Sequence, residues 1–178
     1  GITGVPPTQV VIIGAGTVAE YAARTALGLG ANIKVFDNHL YKLRRIKQLL
    51  GQQIATSTID NASLSQALAE ADVVIGALRA EKGRNKIVVT EEMVSKMIPG
   101  SVVIDVGIDQ GGCIETVRMT THENPVYRTH EVIHYGVPNI ASRVARTASY
   151  SLSNIFTPIL LHMNDLGGAE EMIFTYKW

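Results

Sequence analysis

A glycine turn with an acid at a set distance behind it constrains this 178-residue chain more than any other feature. Residues 9–13, Gln-Val-Val-Ile-Ile, are a continuous apolar run, as expected of a strand buried on both faces. Gly14-Ala15-Gly16-Thr17-Val18-Ala19 follows at once. Gly14 permits a tight turn off the strand, the missing Cβ of Gly16 lets backbone approach a pyrophosphate, and Ala19 is small enough for a helix to pack close on a sheet. The phosphates would meet the N-terminus of a helix opening near Thr17, where free N–H groups and the helix dipole favour an anion. Asp37 lies 21 residues beyond Gly16, at the end of a second strand-like run over residues 32–36. A carboxylate there accepts hydrogen bonds from both adenosine ribose hydroxyls and repels a 2′-phosphate. G-x-G-x-x-A alone is a weak signal. Strand, turn, helix and acid together predict a dinucleotide site that takes NAD in preference to NADP. Arg44 and Arg45 follow within one helix and read as its solvated face rather than as a phosphate site, because Asp37 stands in the way.

The rest of the chain continues the alternation. Helical spacing appears over residues 17–30, with Val18, Ala22, Ala26 and Leu29 as the expected inner stripe, and over residues 39–50, with Leu40, Leu43, Ile46, Leu49 and Leu50. Shorter helices are expected at 61–69 and, capped by Thr90, up to Met97. A long one runs from Val144 to Met163, strained by Pro158. Further strands are expected at 53–58, 72–77, 101–106 and 132–135. Six strands alternating with helices predict an α/β fold, a doubly wound parallel sheet of the Rossmann dinucleotide-binding type. Zero formal net charge gives no electrostatic reason to expect nucleic acid, and no apolar run approaches the ~20 residues that span a membrane. With a single cysteine, Cys113, the chain reads as a soluble, reduced, cytoplasmic domain. The crowded apolar residues from Met172 to Trp178, after Gly167-Gly168, read as part of a longer chain.

Ligands of such sheets lie across the carboxyl ends of the strands. Three stretches leave those ends: residues 76–79, 107–113 and 135–140. Asp109, in a glycine-bordered loop, is on its residues alone equally a carboxylate that caps a turn or one that orders a substrate amine or shuttles a proton. Cys113 reads as a small buried residue rather than a nucleophile. His122, His130 and His134 lack the spacing of a metal site, and His134 reads as a satisfied core or loop histidine; no metal is expected.

The stretch from Val103 to Cys113 (Val-Ile-Asp-Val-Gly-Ile-Asp-Gln-Gly-Gly-Cys) closely resembles a loop of alanine dehydrogenases. So do residues 120–125 (Thr-Thr-His-Glu-Asn-Pro), 134–139 (His-Tyr-Gly-Val-Pro-Asn) and the opening Gly-x-x-Gly-Val-Pro-Pro. The same superfamily includes the NAD-binding subunit of proton-translocating transhydrogenase, which residues 142–143 and 150–154 resemble more. The resemblance implies NAD-dependent oxidative deamination of L-alanine to pyruvate and ammonia. The alternatives are a transhydrogenase-type NAD(H) domain and a non-catalytic NAD-binding module. It implies a catalytic role for Asp109. It implies cofactor contacts at Gly14, Gly16, Thr17 and Val18 for the phosphates and at Asp37 and Lys42 for the adenosine. Ala77, Leu78, Val106, Ile108, Val137, Asn139 and Ile140 are implied around the nicotinamide. It further implies a nucleotide domain over residues 1–165, with 166–178 returning to a separate catalytic domain that supplies an Arg, a Lys and a His to a small amino-acid substrate. Without that domain the piece is expected to bind NAD but not to turn over. Dimers or hexamers are expected. Two departures lie on the substrate side. Residues 79–86 replace a Pro-Gly-Ala-Lys-Ala-Pro-like loop, and Pro138 and Ala141 stand where alanine dehydrogenases typically show Ala and Pro.

Overall fold

The computed structural model describes residues 2–79 and 83–165. Two compact units divide the chain, the first ending at Pro138 and the second starting at Asn139. The segment 166–178, expected to lead back to another domain, lies outside the described residues.

The first unit opens with β1 (Gln9–Ile13), α1 (Thr17–Gly28), β2 (Asn32–Phe36), α2 (Leu40–Leu50), β3 (Ala55–Ser57) and α3 (Asn61–Ala69). It continues with β4 (Val73–Gly76), α4 (Glu91–Ser95), β5 (Val102–Asp105), β6 (Val126–Thr129) and β7 (Val132–Tyr135). The strands form one sheet in the order β3-β2-β1-β4-β5-β7-β6. Every pairing is parallel except the last, β6 with β7. The expected doubly wound α/β sheet is therefore present, with an antiparallel edge strand that the sequence reading omits. β6 alternates exposed and half-buried residues. It joins β7 through His130 and Glu131, whose φ values of 53° and 59° are those of a two-residue hairpin turn. His-Glu is not the Asn-Gly or Asp-Gly pair that announces such a turn. Here the His130 ring lies 2.8 Å from a Glu91 carboxylate oxygen in the first turn of α4.

Period-two alternation along β1 splits the core into two layers. Val10 and Ile12 pack with Ala19, Ala23, Leu43, Ile46 and Leu50 from α1 and α2. Val11 and Ile13 pack with Leu64 and Leu68 of α3 and Met93 and Val94 of α4. The expected Ala22 and Ala26 pack partly buried against the core, but the deepest positions of α1 lie one residue from the expected stripe. Ala19 and Ala23 are fully buried, whereas Val18 and Leu29 are 48% and 73% exposed. Close packing of α1 on the sheet admits only methyl groups at Ala19 and Ala23, and Val18 turns out. In α2 the expected Leu43, Ile46 and Leu50 are buried, but Leu40 and Leu49 are exposed. His134 is fully buried; its Nδ1–H donates to the Val132 carbonyl at 3.0 Å and its Nε2 lies 2.8 Å from the Thr116 hydroxyl. Tyr127 of β6 stacks on the ring with centroids 5.1 Å apart.

In the second unit a short 3₁₀ turn, Ile140–Val144, leads into α5 (Ala145–Asp165), which carries Pro158 inside it. Among the described residues no helix is long and apolar enough to cross a membrane.

Candidate functional site

The sheet order reverses beside β1: β2 lies on one side of it and β4 on the other. The loops leaving the carboxyl ends of β1 and β4 therefore diverge to opposite faces and leave a crevice between them. Gly14 makes the turn at φ 110°, and a Cβ there would lie 2.5 Å from the Ala77 carbonyl oxygen. No side chain fits where the two loops touch. Gly16 is different. A Cβ built on it meets nothing within 4 Å, so its bare backbone faces open space. Gly16 is also the N-cap of α1 and supplies no side-chain cap, which leaves the first N–H groups of a 12-residue helix to an outside acceptor.

Asp37 follows β2 directly and is 3% exposed. One of its carboxylate oxygens accepts the Ala15 N–H at 2.9 Å, across the glycine turn. The other accepts the His39 N–H at 2.8 Å and the His39 ring Nδ1–H at 2.9 Å. The acid thus holds the glycine turn from below and also lines the crevice. Lys42, one turn into α2, lines the same cavity, and Arg45 reaches the Ala15 carbonyl at 3.3 Å.

The β4 and β5 loops meet at Asn85, which is 9% exposed. Its amide donates to the Leu78 carbonyl at 3.1 Å and points at the Gly107 carbonyl at 3.5 Å, while its backbone N–H donates to Gln110 at 3.0 Å. A Cβ on Gly107 would meet the Asn85 amide and the Leu78 carbonyl, both at 2.9 Å. Beyond Gly107, residues Ile108–Gln110 form a 3₁₀ turn with Asp109 exposed at its centre. The Arg84 side chain lies across Gly111, so that a Cβ there would overlap it. Cys113 is buried, and burial beside the Asp105 carboxylate pushes its thiol far above the ordinary range. It is no nucleophile in this state.

A cavity of about 400 Å³ opens among these parts. It brings together the expected Gly14, Gly16, Asp37, Lys42, Ala77 and Leu78 with His39, Arg79, Arg84, Asn85 and Lys86. Thr17 and Val18 stand on the first turn of α1 next to it. Val106 is half-buried at the foot of the Asp109 loop, while Ile108 and Val137 are 4% and 1% exposed, which turns their side chains into the protein. Asn139 and Ile140 open the second unit. His39, Asn85 and Asp105 were not singled out from the sequence. His39 stands two residues after Asp37, the spacing of a side chain that bonds its own backbone, and that signal was available. Asn85 joins partners 7 and 22 residues away, and no local pattern announces it. A second cavity, about 390 Å³, lies at the amino ends of β1 and β2 beside Gln9 and Asn32. It has neither the glycine turn nor the open helix end.

Residues 1–175 match the family model described as alanine dehydrogenase/PNT, C-terminal domain. The chain belongs to this family. A protein named alanine dehydrogenase from Methanococcus maripaludis is 40% identical over 174 residues, covering 97% of this chain and 47% of the relative. A solved L-alanine dehydrogenase superposes with a TM-score of 0.89 at 40% identity, covering 94% of this chain and 46% of that one. A transhydrogenase from Sinorhizobium meliloti superposes with a TM-score of 0.72 at 29% identity, over 82% of this chain and 41% of that one. The chain spans about half the length of the curated relatives it matches.

Proposed function

We propose that this domain binds NAD across the carboxyl ends of its strands and serves an amino-acid dehydrogenase that oxidatively deaminates L-alanine to pyruvate and ammonia. The observation that carries the reading is the Gly14–Gly16 turn at the reversal of strand order, with the Asp37 carboxylate bound to the Ala15 N–H. The cradle suits a dinucleotide: Gly16 leaves open a space that a side chain would fill, and the N-terminus of α1 carries no side-chain cap.

In this reading NAD supplies the hydride acceptor. Gly16, Thr17 and Val18 hold the pyrophosphate through backbone N–H groups, and Asp37 and Lys42 face the adenosine. Ala77, Leu78 and Val106 line the nicotinamide half, with Ile108 and Val137 contributing only their backbones. Asp109 orders the substrate amine and exchanges its proton. A small amino acid is held with residues from a further domain, and the protein works as a homo-oligomer in the cytoplasm.

Two measurements test this. Fluorescence titration of NADH into the chain is expected to saturate, with NADPH much weaker. The natural-length protein is expected to reduce NAD with L-alanine, followed at the nicotinamide absorbance. Saturable NADH binding without turnover of any small L-amino acid would move the reading to a transhydrogenase-type domain, and absence of NADH binding would refute it.

A further inference from the structure

We propose that Asp105 is the positioning residue of the Asp109 loop: its carboxylate takes N–H groups from both ends of the loop and so fixes the turn on which Asp109 stands. The inference rests on the reading of Asp109 as the catalytic group and names what holds it. Asp105 is the last residue of β5 and is fully buried. It lies two residues from Val103 along the strand, on the same face, where Val103 packs into the core. A carboxylate thus occupies a core-facing position. One oxygen accepts the Gly107 N–H at 2.9 Å, where the loop begins. The other accepts the Cys113 N–H at 2.7 Å and the Ile114 N–H at 3.3 Å, where it ends.

The surroundings are shaped to admit this group. A Cβ on Gly76 would lie 3.1 Å from the Asp105 carboxyl carbon, and one on Gly112 would lie 2.8 Å from its oxygen. Two neighbouring positions are therefore bare where the carboxylate sits. No ion pair neutralises it among the described residues; three backbone N–H groups and the Cys113 thiol hold its charge. Within the neck that it closes, the Gly112 N–H donates to the Gly107 carbonyl at 3.0 Å. Ile108 is pinned inward, and Asp109 and Gln110 are left exposed. An amide in place of the carboxylate substitutes an NH₂ for one oxygen. It then faces an N–H donor with another donor and releases one end of the neck.

Displacing a catalytic group by ~1 Å is enough to cost about 100-fold in rate. The test is a double-mutant cycle in the natural-length protein between Asp105→Asn and Asp109→Asn, with kcat for L-alanine, NADH affinity and thermal midpoint measured for each. Asp105→Asn is expected to lower kcat at least tenfold with NADH affinity within about threefold. The double variant is expected to be no slower than Asp109→Asn alone, since a misplaced group that is already missing has nothing further to lose. An unchanged kcat, or losses in the cycle that multiply independently, would overturn the proposal. If Asp109→Asn itself is fully active, the functional reading fails, and the clamp is judged by amide hydrogen exchange in the 178-residue chain. Faster exchange at Gly107, Cys113 and Ile114 in Asp105→Asn supports it, and unchanged exchange refutes it.

Discussion

Replacing Gly14 and Gly16 separately by alanine distinguishes a residue the fold needs from one the ligand needs. At Gly14 the added Cβ would stand 2.5 Å from the Ala77 carbonyl oxygen and 2.8 Å from its carbon, against ordinary contact at 3.4 Å and beyond. The carbonyl cannot retreat cheaply, because the Ala77 N–H donates to Ile13 at 2.7 Å and ties the β4 loop to β1. The backbone at φ 110° is itself unfavourable for alanine, at roughly 1–3 kcal/mol, and overpacking adds about 1–3 kcal/mol. A combined loss near 4 kcal/mol lowers the melting midpoint of a domain of this size by about 8–16 °C. At Gly16 the same methyl meets no protein atom within 4 Å, and φ is −83°. Gly16→Ala is therefore expected to cost no more than the roughly 1 kcal/mol of a poorer N-cap, a shift of about 2–4 °C, well below that of Gly14→Ala. Its methyl occupies the space offered to the pyrophosphate, and NADH affinity is expected to fall at least tenfold. Melting followed by circular dichroism and NADH titration by fluorescence read both effects. A Gly14→Ala chain that melts like the wild type would falsify the steric argument, and undiminished NADH binding by Gly16→Ala would refute the cradle.

Asp37→Asn leaves a donor facing either the Ala15 or the His39 N–H; it is expected to cost about 1–3 kcal/mol in urea unfolding and to narrow the preference for NADH over NADPH by roughly tenfold. Burial holds the His134 imidazole below its ordinary value of 6.5, so the unfolded chain takes up the proton first as pH falls. The stability this contributes is full above pH 6.5 and is lost as pH falls through the folded value. His134→Gln is expected to flatten that part of the acid limb in urea midpoints measured from pH 7.5 to 5. Cys113 is expected to be silent to a thiol reagent in the native chain at pH 8 and to react once on denaturation; rapid native labelling would contradict its burial.

The strongest sequence signals were those whose physics is local. The apolar run of β1, the glycine turn and Asp37 announced one another because strand, turn and helix N-terminus follow within a few residues. Helical spacing in α1 points Ala22 and Ala26 inward but cannot show that the adjacent Ala19 and Ala23 meet the sheet most closely. β6 was missed because a half-exposed strand lacks an apolar run and its turn residues are atypical. Asp109 was visible in its glycine-bordered loop, whereas Asp105 was absorbed into the strand pattern Val-Ile-Asp-Val. A carboxylate inside an apolar strand, just ahead of a glycine-rich loop, was the available signal. Asn85 left no such trace, since its partners come together only in the folded sheet.

The central place of β1 also sets an order of events during synthesis. Its β2 neighbour follows after a single helix, but β4, which closes its other edge, begins 60 residues after β1 ends. At ribosomal speeds of about 5–20 residues per second that interval is roughly 3–12 s. Throughout it a strand that is apolar from Val10 to Ile13 has at least one hydrogen-bonding edge open and half of its core partners unmade. The emerging chain is thus most exposed to mispairing between the appearance of α2 and that of β4, and a holding chaperone would find its target there.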